Sequence, residues 1–530
     1  MVQIFHTSRN IKISLYAFCS AVLLLLISFY TETLFSNGIK SQAGYISSKA
    51  LYFICVFIIS FFIFHIIERR NDQFIKYWLR NFLLIFVPYL LWLAASWPGI
   101  FVWDEFWVYQ SSTYFLLEYW QSYLTSYFFI LAQYLFPSAG TIVFIQVFFM
   151  SAITSWVITK LEIHFAIKRL KYLIIVCLIL WPAFIFSTLM TFRSTMIAML
   201  ELLLIGLLYF YSRESKLGTS RALVVILFLT VVLSTWRTEG IYHLAVVPIF
   251  LLISLGKKYT KKIVLFTIVA LCGVLFINNI YYIFNKDNST KMRYELTAYI
   301  NPISNILSDR NANLNNINLD IINSVVDVEL MKTMPDYYET PSFWNGAVKE
   351  GFTNQQLDQF KKEYVKLVLQ NPDIFISART RTLLGASGYS ENGKYTSDYI
   401  SFYLRNNEQN DAVESLLSNP FNKPMISDIR SIVVKYLDFS RSKLGHTSLM
   451  MVFWNFTPIL LFLSLILIRI NSIRDPLIWM SLICLARIPL LFLLQPGSYF
   501  MYYYPMYLAG FFVIIVYLLE KRKKYTSKNM

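Results

Sequence analysis

Long apolar runs divide this chain, and its basic residues cluster in the gaps between them. That pattern limits the fold more than any other feature. A helix of about 20 apolar residues crosses the hydrocarbon of a bilayer. Twelve spans of roughly 16–23 residues are predicted on that criterion, at 13–35, 50–67, 82–97, 141–159, 172–187, 195–211, 222–236, 241–256, 263–284, 448–468, 476–494 and 503–519. With the N-terminus in the cytoplasm, the basic clusters at 69–80, 160–171, 213–221, 257–262, 469–474 and 521–524 all fall on one side. That side then carries about 24 Lys and Arg against about 4 in the short outer loops, a strong positive-inside bias, and both termini are predicted to be cytoplasmic. The bias requires that 121–136 does not cross. This segment is apolar but short and ends at Pro137-Ser138-Ala139-Gly140, so it reads as an outer-face or re-entrant helix.

Composition supports the same class. Of 530 residues, 56% are hydrophobic and only 15% charged, with a mean hydropathy of +0.51, which excludes an ordinary soluble domain. The net charge of +16 lies in short clusters between spans. It is therefore read as topology and the bilayer as partner, and nucleic acid is not expected. The first run follows Arg9 and Lys12 and lacks a small-residue cleavage site, so it is predicted to be a retained anchor. All five cysteines lie in apolar segments and the five histidines are scattered, so neither a disulfide framework nor a His/Cys metal site is expected. A divalent cation, Mg or Mn, stays open as a cofactor.

The predicted architecture is all-α and polytopic. Residues 1–284 form an N-terminal membrane region with an outer loop at 97–140. Residues 285–447 carry balanced charge and form a mostly helical extracytoplasmic domain, and 448–530 form a C-terminal membrane region with a basic cytoplasmic tail. Within the polar domain, Asn301–Asn318 is Asn-rich and reads as loop, whereas Asn354–Leu369 has helical periodicity and stops at Asn371-Pro372.

Ionisable residues near the outer ends of spans are costly unless paired or hydrated, and so are candidates for function. They are Asp104, Glu105, Glu118, Arg193, Arg237, Glu239 and His243, with Arg487 inside the eleventh span and Glu201 deeper in the sixth. Each also has a bland reading. Asp104 and Glu105 suit the first turn of any helix, Arg193 suits an interfacial anchor, and Arg237 with Glu239 suits a local pair. The aromatics Trp103, Trp107 and Tyr503 fit an interfacial belt or a platform for sugar or prenyl. A carboxylate at the lipid–water boundary can act as base toward an acceptor hydroxyl, while guanidiniums hold a phosphate as it leaves. No Walker loop, dinucleotide fingerprint or nucleotide-sugar domain is present, so the chemistry points to a lipid-linked donor.

The Pro98-Gly99…Asp104…Gln110 pattern, the helix after it, the Arg237-x-Glu239-Gly240 turn and the polar domain before the last spans resemble GT-C superfamily membrane glycosyltransferases, especially bacterial branches of it. Tyr503-Tyr504-Pro505 is similar to the opening of a late helix in that family. The resemblance implies an inverting transfer from a polyprenyl-phosphate-linked sugar to a glycan, lipid or protein acceptor of the cell envelope, in the bacterial inner membrane. It implies Asp104, with Glu105, as catalytic carboxylates, and Arg193, Arg237 and Arg487 as ligands of the donor phosphate. Glu239, His243, Gln110, Trp103, Trp107 and Tyr503 become substrate contacts. The chain departs from the family in its second outer loop, where Arg193-Ser194 stands without Asp or Glu. Two other readings share the architecture. One is a polymerase or ligase of lipid-linked polysaccharide using Arg379 and Arg381 of the large loop; the other is a lipid-linked glycan flippase.

Overall fold

A computed structural model describes residues 2–118, 122–280, 289–389, 411–444, 447–470 and 472–528. It is helical almost throughout; the only strands among the described residues are the two-residue pair Lys443–Leu444 and Thr447–Ser448. The first twelve α-helices are α1 (Val2–Phe35), α2 (Gln42–Glu68), α3 (Gln73–Ser96), α4 (Trp103–Ser112), α5 (Tyr123–Leu135), α6 (Ala139–Phe165), α7 (Leu170–Leu180), α8 (Pro182–Leu189), α9 (Arg193–Arg213), α10 (Ser220–Trp236), α11 (His243–Leu255) and α12 (Thr260–Asn279). Among the described residues, ten helices are long and apolar enough to cross a membrane, which makes the chain an integral, multi-pass membrane protein. The two other expected spans take different forms. One is α7 and α8, bent by 59° at their junction; the other is α10, whose 17 residues fall just short. Segment 121–136 contains the 13-residue α5. Its length of about 20 Å cannot cross about 30 Å of hydrocarbon along the normal.

The chain divides into two compact units: Met1–Arg237 with Tyr399–Leu437 and Ile515–Met530, and Thr238–Asp398 with Asp438–Ile514. In the first, local chemistry explains where the helices stop. Trp97 precedes Pro98 and leaves the helical region at ψ 135°, which ends α3. Trp181 precedes Pro182 and ends α7 for the same reason. The second break leaves carbonyls without intrahelical donors, since Pro182 has no N–H for Leu178 O. Three aromatic side chains supply the missing donors: Tyr89 OH to Leu178 O (2.7 Å), Trp92 Nε1 to Ile179 O (3.0 Å), and Tyr436 OH to Leu180 O. An unmet carbonyl at membrane depth costs several kcal/mol, so these bonds make the bend tolerable.

The far ends of the same helices carry ion pairs. Glu162 at the end of α6 binds Arg80 of α3 (2.6 Å) and Lys171 of α7 (2.5 Å). Lys160 binds Glu214 just after α9 (2.6 Å), and Arg213 of α9 binds Glu520 (2.5 Å). This belt ties four helices and the C-terminal segment together at the end of α3 and α9 opposite Trp97 and Arg193. A further pair, Lys49–Glu32 at 2.8 Å, joins α1 to α2, with Lys49 buried and Glu32 partly so.

The second unit has a core of Leu296, Ile300, Ile303, Phe360, Leu367 and Phe375. Helix Asn354–Gln370 starts at a Thr353/Gln356 capping box and ends before Pro372, as its periodicity predicts. The expected loop at 301–318 is corrected in part, because a helix runs over Thr297–Ser308. Ile300, Ile303 and Leu307 recur at helical spacing and bury on one side. The asparagines that suggested loop instead bind backbone across the unit: Asn301 Nδ2 donates to Asp336 O and Glu339 O, and Asn305 Nδ2 to Asp336 O.

Candidate functional site

In the first unit, the segment between α3 and α4 is built around Gly99. Its φ of +110° favours glycine, and a Cβ there would lie 2.5 Å from Val143 Cγ2. This close turn lets Ile100 lie parallel to Met190: Ile100 N–H donates to Leu189 O (3.0 Å), and Thr191 N–H to Ile100 O (3.3 Å). The start of α4, with Asp104 and Glu105 in its first turn, is thereby placed beside the segment that runs into Arg193, the first residue of α9. Two buried side chains fix that segment from below. Gln146 Nε2 donates to Met190 O (2.8 Å) and Thr188 O (3.3 Å), and Thr195 Oγ1 to Ser187 O (2.6 Å).

The adjacent carboxylates are not equivalent. Glu105 is 1% exposed, while Asp104 and Arg193 keep part of their surface open. Two neighbours on a helix point about 100° apart, so Glu105 faces packed protein while Asp104 stays partly exposed. Trp107 is exposed, and Gln110 is partly so; Trp103 begins α4. Arg237 caps the C-terminal end of α10 and is buried. Beside it, Trp236 Nε1 donates to Thr125 Oγ1 of α5 (3.0 Å) and Ser122 Oγ to Thr235 O (3.3 Å). Glu118 accepts from Ser111 Oγ at 2.5 Å, which closes the turn after α4. Glu201 is fully buried in α9.

Gln110 also lines a cavity of about 530 Å³ at the other end of α4, with Asn37, Tyr114, Glu414, Ser415 and Asn419 among its walls. Amides, hydroxyls and one carboxylate dominate, a surface suited to a polyhydroxyl ligand. The wall is held by Asn419 and Asn422, whose Nδ2 groups both donate to Tyr109 OH (3.3 and 3.2 Å). Burial raises the Tyr109 phenol above its ordinary pKa and these amides partly offset it, so Tyr109 stays protonated at neutral pH. Asn422 Oδ1 further accepts from Ser138 Oγ and the Ala139 N–H. Sequence reasoning passed over Gln146, Asn419 and Asn422. Asn419-Pro420 is a turn signal, but a turn signal does not reveal its partners.

The second unit holds the remaining candidates. Glu239 lies in the 3₁₀ turn Thr238–Tyr242, 3.9 Å from Arg487 of helix Pro476–Leu494, and both are buried. His243 is fully buried, with Nδ1 donating to Gly240 O (2.8 Å) and the ring stacked on Tyr242. Tyr503 is buried too; its OH donates to Gln495 Oε1 (2.6 Å) and its ring stacks on Phe456 at 4.0 Å. The candidates thus fall into two groups: Asp104, Glu105, Gln110, Trp103, Trp107, Arg193 and Arg237 in the first unit, and Glu239, His243, Arg487 and Tyr503 in the second.

Arg379 is fully buried and serves the end of helix Pro476–Leu494. Pro496 has no N–H for Phe492 O, and Arg379 Nε donates there instead (2.6 Å), while Nη2 donates to Gln495 O (2.6 Å). Burial pushes its guanidinium down to about 10, which leaves it charged at neutral pH. Arg381 lies over the Tyr337 ring at 4.3 Å. Among the described residues, no group of three or more His, Cys, Asp or Glu is placed to hold a metal ion. No family model matches this chain, and neither curated proteins nor solved structures give a match.

Proposed function

We propose that the chain is a membrane glycosyltransferase of GT-C type that moves a sugar from a polyprenyl-phosphate donor to a cell-envelope acceptor outside the cytoplasm. The observation that carries this reading is the Ile100–Met190 pairing, which sets the carboxylates of α4 beside the approach to Arg193. A carboxylate and a guanidinium at neighbouring helix starts, at the end of a membrane span, match a donor with its tail in lipid and its phosphate at the headgroup level. Support for the outer face comes from the ion-pair belt. It lies at the opposite ends of α3 and α9, where the basic clusters mark the cytoplasm.

In this reading Asp104 is the base, because Glu105 is closed off. Asp104 takes the proton of the acceptor hydroxyl as its oxygen attacks the anomeric carbon. The bond from that carbon to the phosphate oxygen breaks, and polyprenyl phosphate leaves with the electron pair on the face opposite to attack, inverting the centre. Arg193 holds the phosphate, assisted by the positive end of α9, whose N-terminus has no side-chain cap. Arg237 is a second phosphate ligand and Gln110 an acceptor contact. The polymerase reading is weaker, since Arg379 and Arg381 are engaged in internal contacts.

The test is transfer from a radiolabelled polyprenyl-phosphate sugar in membranes carrying Asp104→Asn, Glu105→Gln or Arg193→Ala. Loss of a general base lowers the rate by about 10²–10⁴, so Asp104→Asn should fall by that factor at unchanged expression. Undiminished turnover in Asp104→Asn refutes the mechanism.

A further inference from the structure

Helix Ser427–Phe439 belongs to none of the spans. Over residues 427–437, within the first unit, it has three sectors. Val433 and Leu437 are buried against the protein. Asp428, Ser431 and Lys435 are exposed and polar. Between them lies an exposed sector that is apolar: Ile432 is 62% exposed and Ile429 42%, with Met425 and Ile426 exposed just before the helix. At about 100° per residue, Ile429, Tyr436 and Ile432 share a sector of roughly 60°, with Asp428 and then Lys435 following Ile432 on the far side from Val433. A helix in water has no reason to put isoleucines between its packed and its polar faces. A helix lying in a membrane surface has one, because protein, lipid and water then meet it from three directions.

Its neighbours identify which surface continues the apolar sector. The Tyr436 ring stacks on Trp92 of α3 at 5.6 Å, and its OH donates to Leu180 O at the end of α7. Those helices turn apolar side chains outward up to that level: Leu83, Val87 and Leu91 on α3, and Leu173, Val176 and Leu180 on α7. Both belong to segments long and apolar enough to cross a bilayer. We propose that 425–437 lies in the plane of the bilayer, with Ile429 and Ile432 at the boundary between acyl chains and headgroups. The occupant of this face is therefore phospholipid. The helix marks the depth of one interface, level with the α7–α8 bend and the last turns of α3, and it does so whether or not the chain is a transferase.

The test uses the full-length chain in phosphatidylcholine vesicles, with its five cysteines replaced by alanine and a nitroxide at Ile432→Cys, Lys435→Cys or Val433→Cys. Oxygen, which concentrates in lipid, should relax the label at 432 several-fold more than a water-soluble nickel chelate does. The order should reverse at 435, and both should be excluded at 433. Preferential nickel access at 432 overturns the proposal in favour of water. Exclusion of both agents at 432 overturns it in favour of protein cover, such as a second copy. A second measurement keeps all native residues: phosphatidylcholine with an acyl-chain diazirine should label residues 424–435 of the wild-type protein. Adducts on 83–91 with none on 424–435 would also overturn it.

Discussion

Replacing Arg379 by methionine separates a structural role from a catalytic one. Met keeps much of the side-chain volume but removes the fork that binds Phe492 O and Gln495 O, both at 2.6 Å. Each is a hydrogen bond from a charged donor, worth about 1.5–3 kcal/mol. No backbone N–H can replace the first, because the donor position belongs to Pro496. The loss should total roughly 3–6 kcal/mol, or on the order of 10 °C in the unfolding midpoint of a unit this size. Arg379→Lys, with a single ammonium point, should recover about half of that. The assay is thermal unfolding in detergent, followed by intrinsic fluorescence, beside transfer activity in membranes at a temperature where the variant is folded. An unchanged midpoint with activity abolished would refute the structural assignment and revive the polymerase reading.

Three other outcomes are expected. Gly99→Ala places a methyl against Val143 and strains a positive φ, so it should lower transfer by at least tenfold while the midpoint moves only modestly; normal turnover would show that the Ile100–Met190 pairing does not position the site. Gln146→Leu removes two buried donors to the 188–190 carbonyls and should cost about 1–3 kcal/mol, measured by the same thermal assay. A cysteine placed at Gln110 should react with a membrane-impermeant maleimide in intact cells; labelling only after permeabilisation would reverse the topology.

The spans are legible because apolar length is a local property, readable without knowing what a helix packs against. The break at Trp97-Pro98 is legible for the same reason, whereas the one at Trp181-Pro182 lies inside 172–187, which reads as a single span because apolar length outweighs one proline. At 301–308 the local signal misleads. Asn and Pro in one short stretch suggest loop, but the recurrence of Ile300, Ile303 and Leu307 decides in favour of helix once a core is available to receive them. Buried polar contacts are the least legible class. Lys49 reads as a flanking charge beside an apolar run, yet it is paired with Glu32. Arg379 reads as a candidate ligand, and its two short bonds go to backbone carbonyls more than 100 residues away. Asp104 and Glu105 are identical in sequence context and differ only in which side of α4 meets packed protein.

The α7–α8 bend has a consequence for motion. Proline breaks in membrane helices are natural pivots, because the freed carbonyls let the two halves tilt independently. Here those carbonyls are claimed by Tyr89, Trp92 and Tyr436, so tilting α8 against α7 means releasing three bonds together, the one from Tyr89 in buried surroundings. The corner therefore behaves as a rigid bracket carrying the segment that leads to Arg193. On the proposed function, any opening toward a lipid-linked donor has to arise in elements other than this corner.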